Sequence, residues 1–135
     1  MSRLKALLLG GTVSLTSGVP APLFTLPLAS GGAVGGSFDY DVACSGGSNC
    51  GVLSKHVLFS AVNKAGVATM HSTSYDEQAE AFSDDSVLWV ECVESLTWSA
   101  NILTISVTPT FVGTPTSATL RWYMVPLPTV QATVL

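Results

Sequence analysis

Apolar and polar residues alternate along most of this chain, the pattern of β-strands with one buried and one solvated face. The clearest example is 117–125, where the two kinds of side chain take turns at every step. Its apolar positions are Ala118, Leu120, Trp122 and Met124, and the positions between them are Thr119, Arg121 and Tyr123. The same period predicts further strands over 12–16, 23–28, 37–44, 53–62, 86–94 and 102–107.

A hairpin over 57–70 is the strongest local signal. Two apolar runs rich in β-branched residues flank 63–66, and Gly66 can supply the positive φ that closes a four-residue loop. Lys55 is the one charged residue on the apolar face of the first strand. We therefore expect two antiparallel neighbours here.

Glycine, proline and short polar residues separate the strands. Pro27 restricts the strand 23–28 to a sheet edge or a bulge, because proline cannot donate to a ladder. Residues 96–98 are expected to continue the preceding strand past a bulge. The predicted irregular segments are a glycine-rich loop at 29–36, an acidic loop at 73–85 with one short strand or turn at 79–82, and a connection at 108–115.

About seven to nine short strands, with no long stretch of helical period, predict an all-β fold. We expect a single antiparallel β-sandwich, jelly-roll-like, over 12–125. An extended N-terminal arm over 1–11 and an extended C-terminal tail over 126–135 complete the expected organisation. A length of 135 residues suits one domain with a substantial core.

The surface of this chain is short of charge. Charged residues make up 10% of the sequence, whereas about 25% is usual for a globular domain. A lone subunit normally relies on charge to stay apart from its neighbours. We therefore expect a homo-oligomer, with a trimer preferred, whose surface is largely covered by other subunits.

The distribution of charge argues against two classes of partner. The five basic residues are scattered, so no basic stripe exists to bind nucleic acid. The longest apolar runs fall far short of the roughly 18 residues needed to cross a bilayer, and no membrane partner is expected. The N-terminus imitates a secretory signal, but its apolar core ends at Gly10, which favours an uncleaved extension.

Candidate chemistry is sparse. Ser54 and His56 lie two apart on one strand and share a face, as a nucleophile and its base would. They lack a Gly-x-Ser-x-Gly elbow and a neighbouring acid, so an exposed polar face is the better interpretation. The sequence predicts no enzyme, no catalytic residue and no cofactor.

Seven of the nine acidic residues fall between Asp76 and Glu94. Carboxylates in a loop can bind calcium, but no regular Asp-x-Asp-x-Asn-Gly series is present. A solvated loop is the favoured interpretation, and no metal site is expected. The groups weighed as ligands are His71 with Asp76 and Glu77, Asp84 with Asp85, and Asp39 with Asp41.

Aromatic and cysteine side chains leave two alternatives open. Trp89, Trp98, Trp122 and Tyr123 could stack on a sugar, although Trp122 falls on the apolar side of its strand and is expected in the core. The turn-like loop between Cys44 and Cys50 permits a cross-strand disulfide, but two reduced thiols are favoured. Cys92 is expected in the core.

Several turn and strand motifs resemble those of small virion proteins of tailed bacteriophages. Together they cover roughly 12–125, and the segment from Cys44 to Cys50 departs from the plainer turn of that group. The motifs are VSLTSGVP at 13–20, GGSFDY at 35–40, FSAVNKAG at 59–66, NILTISV at 101–107 and TLRWY at 119–123.

The resemblance implies a non-enzymatic virion subunit that assembles in the bacterial host cytoplasm. We expect a capsid decoration, or cement, protein that contacts the major capsid protein or other virion proteins. The alternative is a tail or fibre module that binds a host-surface receptor or glycan. A secreted adhesin would instead require signal cleavage and the cysteine bridge. The expected interface residues are Arg3, Leu4, Leu7, Leu8, Leu9, Pro126, Leu127, Pro128, Val130, Val134 and Leu135.

Overall fold

The computed structural model of the chain describes residues 9–74, 79–124 and 133–134. These residues form ten β-strands and contain no helix. The strands are β1 (Leu9–Ser14), β2 (Ala21–Pro27), β3 (Ala33–Gly46), β4 (Asn49–Lys64), β5 (Val67–Ser74), β6 (Ala79–Phe82), β7 (Trp89–Ser99), β8 (Ile102–Val112), β9 (Ser117–Met124) and β10 (Thr133–Val134).

The strands form two antiparallel sheets. Sheet A has the order β1-β9-β3-β4-β5, and the short β6 pairs with the first part of β4. Sheet B has the order β10-β2-β8-β7. The all-β prediction is confirmed, whereas the jelly-roll order is not confirmed by this arrangement.

The two sheets pack face to face over one apolar core. Phe24 of sheet B is fully buried. Its ring centroid lies 5.5 Å from that of Phe38, 6.1 Å from that of Phe59 and 4.7 Å from that of Trp122, all in sheet A. Burying one such ring contributes about 1.5–3 kcal/mol. The aromatic cluster therefore joins the sheets near their centre.

Strand β9 shows why the alternation predicted the fold well. Exposed and buried residues alternate without a break from Ser117 to Met124. Trp122 is buried, as expected, and Tyr123 beside it faces solvent. The pattern therefore assigned both faces of this strand correctly.

The central hairpin is confirmed, but its loop is shorter than predicted. Lys64 pairs directly with Val67, which leaves Ala65 and Gly66 as a two-residue turn with φ values of 52° and 88°. Two positive φ angles give a turn whose twist matches that of the strands. Buried Asn63 supports the turn, because its Oδ1 accepts from the Gly66 N–H at 2.9 Å and its Nδ2 donates to the Leu28 carbonyl at 3.1 Å.

Two segments expected to be irregular belong to strands. Residues 33–36 of the predicted glycine-rich loop open β3, where Val34 is buried against the core. Residues 108–112 of the predicted connection extend β8. The Pro109 carbonyl accepts a hydrogen bond from the Gly18 N–H, which shows that this side of the residue faces away from β7. The proline nitrogen faces that same side, so no ladder hydrogen bond with β7 is lost.

Two further boundaries differ from expectation. The predicted bulge before Leu96 is wrong, because β7 pairs with β8 in unbroken register from Trp89 to Ser99. At the N-terminus, β1 begins at Leu9 and pairs with β9, so Gly10 and Gly11 lie inside a strand rather than at the end of an arm. A side chain would fit poorly at Gly10 in this edge strand, because a Cβ there would lie 2.8 Å from the Trp122 carbonyl oxygen.

Candidate functional site

Three adjacent strands of sheet A present polar side chains to solvent. Strand β3 lies between β4 and β9. Asp39 is paired with His56 on one side and Tyr123 on the other. Asp41 is paired in the same way with Ser54 and Arg121. Since cross-strand partners share a face, these six residues form two neighbouring rows of three, which we call the outer polar patch.

The outer polar patch contains two acid–base pairs. His56 Nδ1 lies 2.6 Å from Asp39 Oδ1, and Arg121 Nη2 donates to Asp41 Oδ2 at 2.9 Å. The hydrogen bond and charge of Asp41 raise the pKa of Arg121, so its guanidinium remains charged. Side chains of the patch line a depression of about 230 Å³ on this face. The patch therefore offers fixed donors, acceptors and one half-exposed aromatic ring.

The patch changes the interpretation of Ser54 and His56. The two share a solvated face, as the sequence predicted. The structure adds Asp39, which supplies the acid next to the histidine that the local sequence lacks. Asp39 is 17 residues from His56 in the chain, and only the pairing of β3 with β4 brings them together.

The residue pair between the two rows faces the opposite way, into the space between the sheets. Lys55 and Tyr40 are cross-strand partners on the inner face. Lys55 Nζ lies 3.1 Å from Glu94 Oε2 and donates to the Cys92 carbonyl at 2.8 Å. Tyr40 Oη donates to the same Glu94 oxygen at 3.0 Å. These contacts link sheet A to β7 of sheet B and explain the charged residue on an otherwise apolar face.

This inner cluster, Tyr40, Lys55, Cys92 and Glu94, is largely shielded from water. The side chains of Lys55 and Glu94 are only 11% and 7% exposed. Burial, followed by the charge of Glu94, raises the pKa of Tyr40 far above its ordinary value. Burial also raises the pKa of Cys92 to about 12. Both groups are therefore neutral at physiological pH, and the cluster has one buried ion pair.

A third surface lies at the central hairpin. Leu58, Val62 and Val67 lie on the outer face of β4 and β5 and are 38%, 47% and 68% exposed. Strand β5 is a terminal strand of sheet A and contains no Asp, Glu, Lys or Arg. Natural edge strands usually carry charge or proline that discourages pairing. This surface, the hairpin face, therefore has the character of a contact surface.

The expected interface residues fall mainly outside the described part of the chain. Leu9 belongs to β1 and packs against the core, and Val134 pairs with Phe24 through β10. Their role as interface residues stays a prediction. The interface residues outside the described ranges are Arg3, Leu4, Leu7, Leu8, Pro126, Leu127, Pro128, Val130 and Leu135.

The groups weighed as metal ligands lie in different parts of the fold, and of these Asp39 and Asp41 belong to the outer polar patch. His71 lies on β5, and Asp84 accepts hydrogen bonds from Ser86. Asp76 and Glu77 lie outside the described residues. Over 9–74 and 79–124, no group of three or more His, Cys, Asp or Glu side chains could hold a metal ion. No helix in those ranges is long and apolar enough to cross a membrane.

The three cysteines are free thiols. Cys44 is opposite Gly51, whereas Cys50 is opposite Ser45. Because paired residues share a face and neighbouring residues alternate, Cys44 points to the core and Cys50 to the other side. This register explains why the short loop does not align them for a bridge. Cys92 is buried in the core, as predicted.

The aromatic residues weighed for sugar binding separate into different environments. Trp122 is a core residue, and the indole nitrogen of Trp98 donates to the Leu28 carbonyl at 3.0 Å. Trp89 is on β7 of sheet B, away from the outer polar patch. Tyr123 alone among the four lies within the patch, with about half its surface exposed.

Comparison with known proteins is sparse. No protein-family model matches the sequence, and no curated protein matches it. Among solved structures the chain is similar to a tailspike protein, gp49 of the Acinetobacter baumannii bacteriophage Fri1, described as a capsular polysaccharide depolymerase. The two share 15% identity with a TM-score of 0.44, over 95% of this chain and 19% of the tailspike. The chain thus spans about a fifth of that protein, and a similarity this low carries no argument about function.

Proposed function

We propose that this chain is a non-enzymatic structural module of a tailed-bacteriophage virion, which acts by binding other virion subunits. The proposal combines the resemblance of its turn and strand motifs to small virion proteins with the character of its surface. Motifs at 101–107 and 119–123 form strands β8 and β9, which lie centrally in their sheets. They therefore belong to the framework of the fold.

The hairpin face is the observation that carries the proposal. Leu58, Val62 and Val67 are large aliphatic residues in contact with solvent, next to an uncharged edge strand. Exposed aliphatic residues gathered on one face commonly mark a contact with another protein. On this face Ser60 lies between Leu58 and Val62, and Lys64 is opposite Val67 at the turn. A chain with only 10% charged residues has little to keep such surfaces apart. Assembly with other subunits, with a trimer as the expected oligomer, would account for the exposed aliphatic residues and for the low charge.

The resemblance to virion proteins allows two placements, and we propose the tail or fibre module ahead of capsid decoration, which the sequence analysis favoured. The outer polar patch supports it, because fixed donors, acceptors and an exposed ring are groups that recognise a small polar ligand. Several copies around a tail axis would add avidity to weak single sites. On this proposal, the chain contacts a host-surface receptor or glycan.

Capsid decoration is the second candidate. It is supported by the low charge and by the apolar sequence of the expected arm and tail. A protein that binds the assembled shell but not free shell subunits would stabilise the shell by its binding free energy. The chain would then stabilise the capsid through thermodynamic linkage, by binding the major capsid protein in the assembled shell.

Copy number in purified particles tests the proposal and separates its two forms. Quantitative mass spectrometry against a labelled standard should find the chain in intact particles. A count of a few copies, set by tail symmetry, supports the tail or fibre placement, and on the order of hundreds supports decoration. Particles that contain none of the chain would refute a virion role.

Self-association through the hairpin face is testable on the purified chain. Val62→Asp places a negative charge on the hairpin face and should shift the native mass toward the monomer. Val112→Asp is the matched control, because Val112 has similar exposure on sheet B. An equal effect of both variants would contradict a specific role of the hairpin face.

A further inference from the structure

The outer polar patch concentrates charge in a chain that has little. Two carboxylates, an arginine and a histidine lie in two adjacent rows of sheet A. Asp39, Asp41, Ser54, His56 and Tyr123 line a depression of about 230 Å³ there, and Arg121 pairs with Asp41 beside it. Ion pairs on solvated surfaces contribute little to stability, typically between about 0 and 1 kcal/mol. The fold therefore gains little from placing these groups together, and a ligand is a better explanation of the arrangement.

We infer that the outer polar patch is a binding site for a neutral saccharide. The inference deepens the tail or fibre proposal and rests on it for its biological setting. It assigns the site to the outer face of sheet A rather than to loops at one end of the sandwich. Its residues are Asp39, Asp41, Ser54, His56, Arg121 and Tyr123.

The acid–base pairs leave hydrogen-bonding groups available to a ligand. Among the described residues, Asp39 uses Oδ1 toward His56 and Asp41 uses Oδ2 toward Arg121, so each carboxylate has a second oxygen outside these pairs. The Arg121 guanidinium carries further N–H groups beyond the one that Asp41 accepts. Neighbouring hydroxyls of a sugar both donate and accept. An alternating set of carboxylate and guanidinium groups, held in place by their own pairing, complements them.

Tyr123 supplies the apolar part of the site. Its side chain is 49% exposed at the end of one row of the patch. Its cross-strand neighbour in β1 is Gly10, which has no side chain to cover the ring. An aromatic residue with an exposed ring and a hydroxyl can contact an apolar C–H face of a sugar while it hydrogen-bonds a polar edge. The ring and the carboxylates are adjacent, because Tyr123 pairs with Asp39.

The charge of the patch selects neutral saccharides over acidic ones. The patch has two carboxylates, one guanidinium and one imidazole, and both basic groups are already engaged, Arg121 by Asp41 and His56 by Asp39. The whole chain carries a net charge of −4. A sugar carboxylate would approach like charge at short range with little to offset the repulsion. Uronic and other acidic sugars should therefore bind more weakly than neutral ones of the same length.

Saturation-transfer NMR on the purified full chain tests the inference directly. The probes are neutral trisaccharides of glucose, galactose and mannose, together with trigalacturonate as the acidic counterpart. At least one neutral trisaccharide should bind, and more tightly than trigalacturonate. The inference is overturned if no neutral trisaccharide binds at up to about 10 mM, or if trigalacturonate binds best.

Variants locate the site. Tyr123→Ala should weaken binding of the neutral trisaccharide by about tenfold or more, whereas Tyr123→Phe should retain most of it. Thr110→Ala, at an exposed position of β8 in sheet B, is the control and should bind as the unaltered chain does. Unchanged affinity in a folded Tyr123→Ala variant would exclude the patch as the site.

The binding experiment and the particle count fail independently. A chain that is present in particles but binds no neutral saccharide would refute the saccharide site and leave the virion role intact. A chain that binds the saccharide through Tyr123 but is absent from particles would refute the virion role alone.

Discussion

Opposite faces of the same two strands carry two different polar clusters. Along β3 the chain alternates between Asp39, Tyr40 and Asp41, and the middle residue faces the interior while its neighbours face solvent. The inner cluster joins sheet A to sheet B through a buried ion pair, and the outer polar patch joins only neighbouring strands of one sheet. Ion-paired side chains therefore join the two sheets in one place and face solvent in the other.

The difference arises from solvent rather than from geometry. The ion-pair distances are similar, 3.1 Å inside and 2.6 Å and 2.9 Å outside. Inside, each partner depends on the other, because an unpaired buried charge is costly. Outside, water replaces either partner at little cost. Substitutions on the inner face should therefore lower the stability of the fold, whereas substitutions on the outer face should mainly change ligand binding.

Lys55→Ala should have the largest effect on stability. It leaves the Glu94 carboxylate buried with only the Tyr40 hydroxyl as a described side-chain partner, and it leaves the Cys92 carbonyl without its lysine. We expect the free energy of unfolding to fall by about 3–5 kcal/mol, measured by urea denaturation. Lys64→Ala, at the exposed hairpin turn, is the control and should stay within about 0.5 kcal/mol. A loss for Lys55→Ala no greater than this control would contradict the role given to the inner cluster.

The inner cluster should also make the fold sensitive to alkaline pH. The pKa of Cys92 rises from its ordinary value of 9.0 to about 12 in the folded chain. Above pH 9 the unfolded chain loses this proton while the folded chain keeps it, so the free energy of unfolding falls as pH rises toward 12. The slope from this thiol is at most about 1.4 kcal/mol per pH unit.

Urea denaturation at pH 8 and at pH 10.5 measures this dependence. Cys92→Val removes the thiol while keeping a buried side chain of comparable size, and it should show a shallower fall than the unaltered chain. Identical slopes in the two proteins would show that Cys92 does not titrate on unfolding.

The smallest effect on stability is expected in the outer polar patch. Asp41→Asn removes one charge from a solvated pair and should change the free energy of unfolding by less than about 1 kcal/mol. The same substitution frees the Arg121 guanidinium and reduces the negative charge of the patch, so binding of trigalacturonate should increase. A marked loss of stability, or an unchanged preference for neutral sugars, would contradict this and indicate that Asp41 serves the stability of the fold.

Local patterns predicted the elements better than the contacts between them. Alternation assigned β9 residue by residue, and Gly66 located the central hairpin. The extensions of β3 and β8 were missed because Gly35, Gly36 and Pro109 are poor strand residues in isolation. Strand β3 pairs with β4 and β8 pairs with β7 along most of their lengths, and the nitrogen of Pro109 faces away from β7.

The candidate site needed tertiary pairing that no local signal contains. Asp41 and Arg121 are 80 residues apart, and they meet only because β9 returns beside β3. Lys55 was visible in the sequence as an exception to an apolar face, but its partner Glu94 comes from the other sheet. A charge at an inward-facing strand position is itself a signal, since such a residue requires a buried partner.

An NMR titration of the chain with a neutral trisaccharide tests the division between the two faces most directly, if side-chain signals along β3, β4 and β9 are followed. The structure predicts that Asp39, Asp41, His56 and Tyr123 respond while Tyr40 and Lys55, which alternate with them, do not. Responses confined to loops, or equal on both faces, would contradict the assignment of ligand binding to the outer face of sheet A.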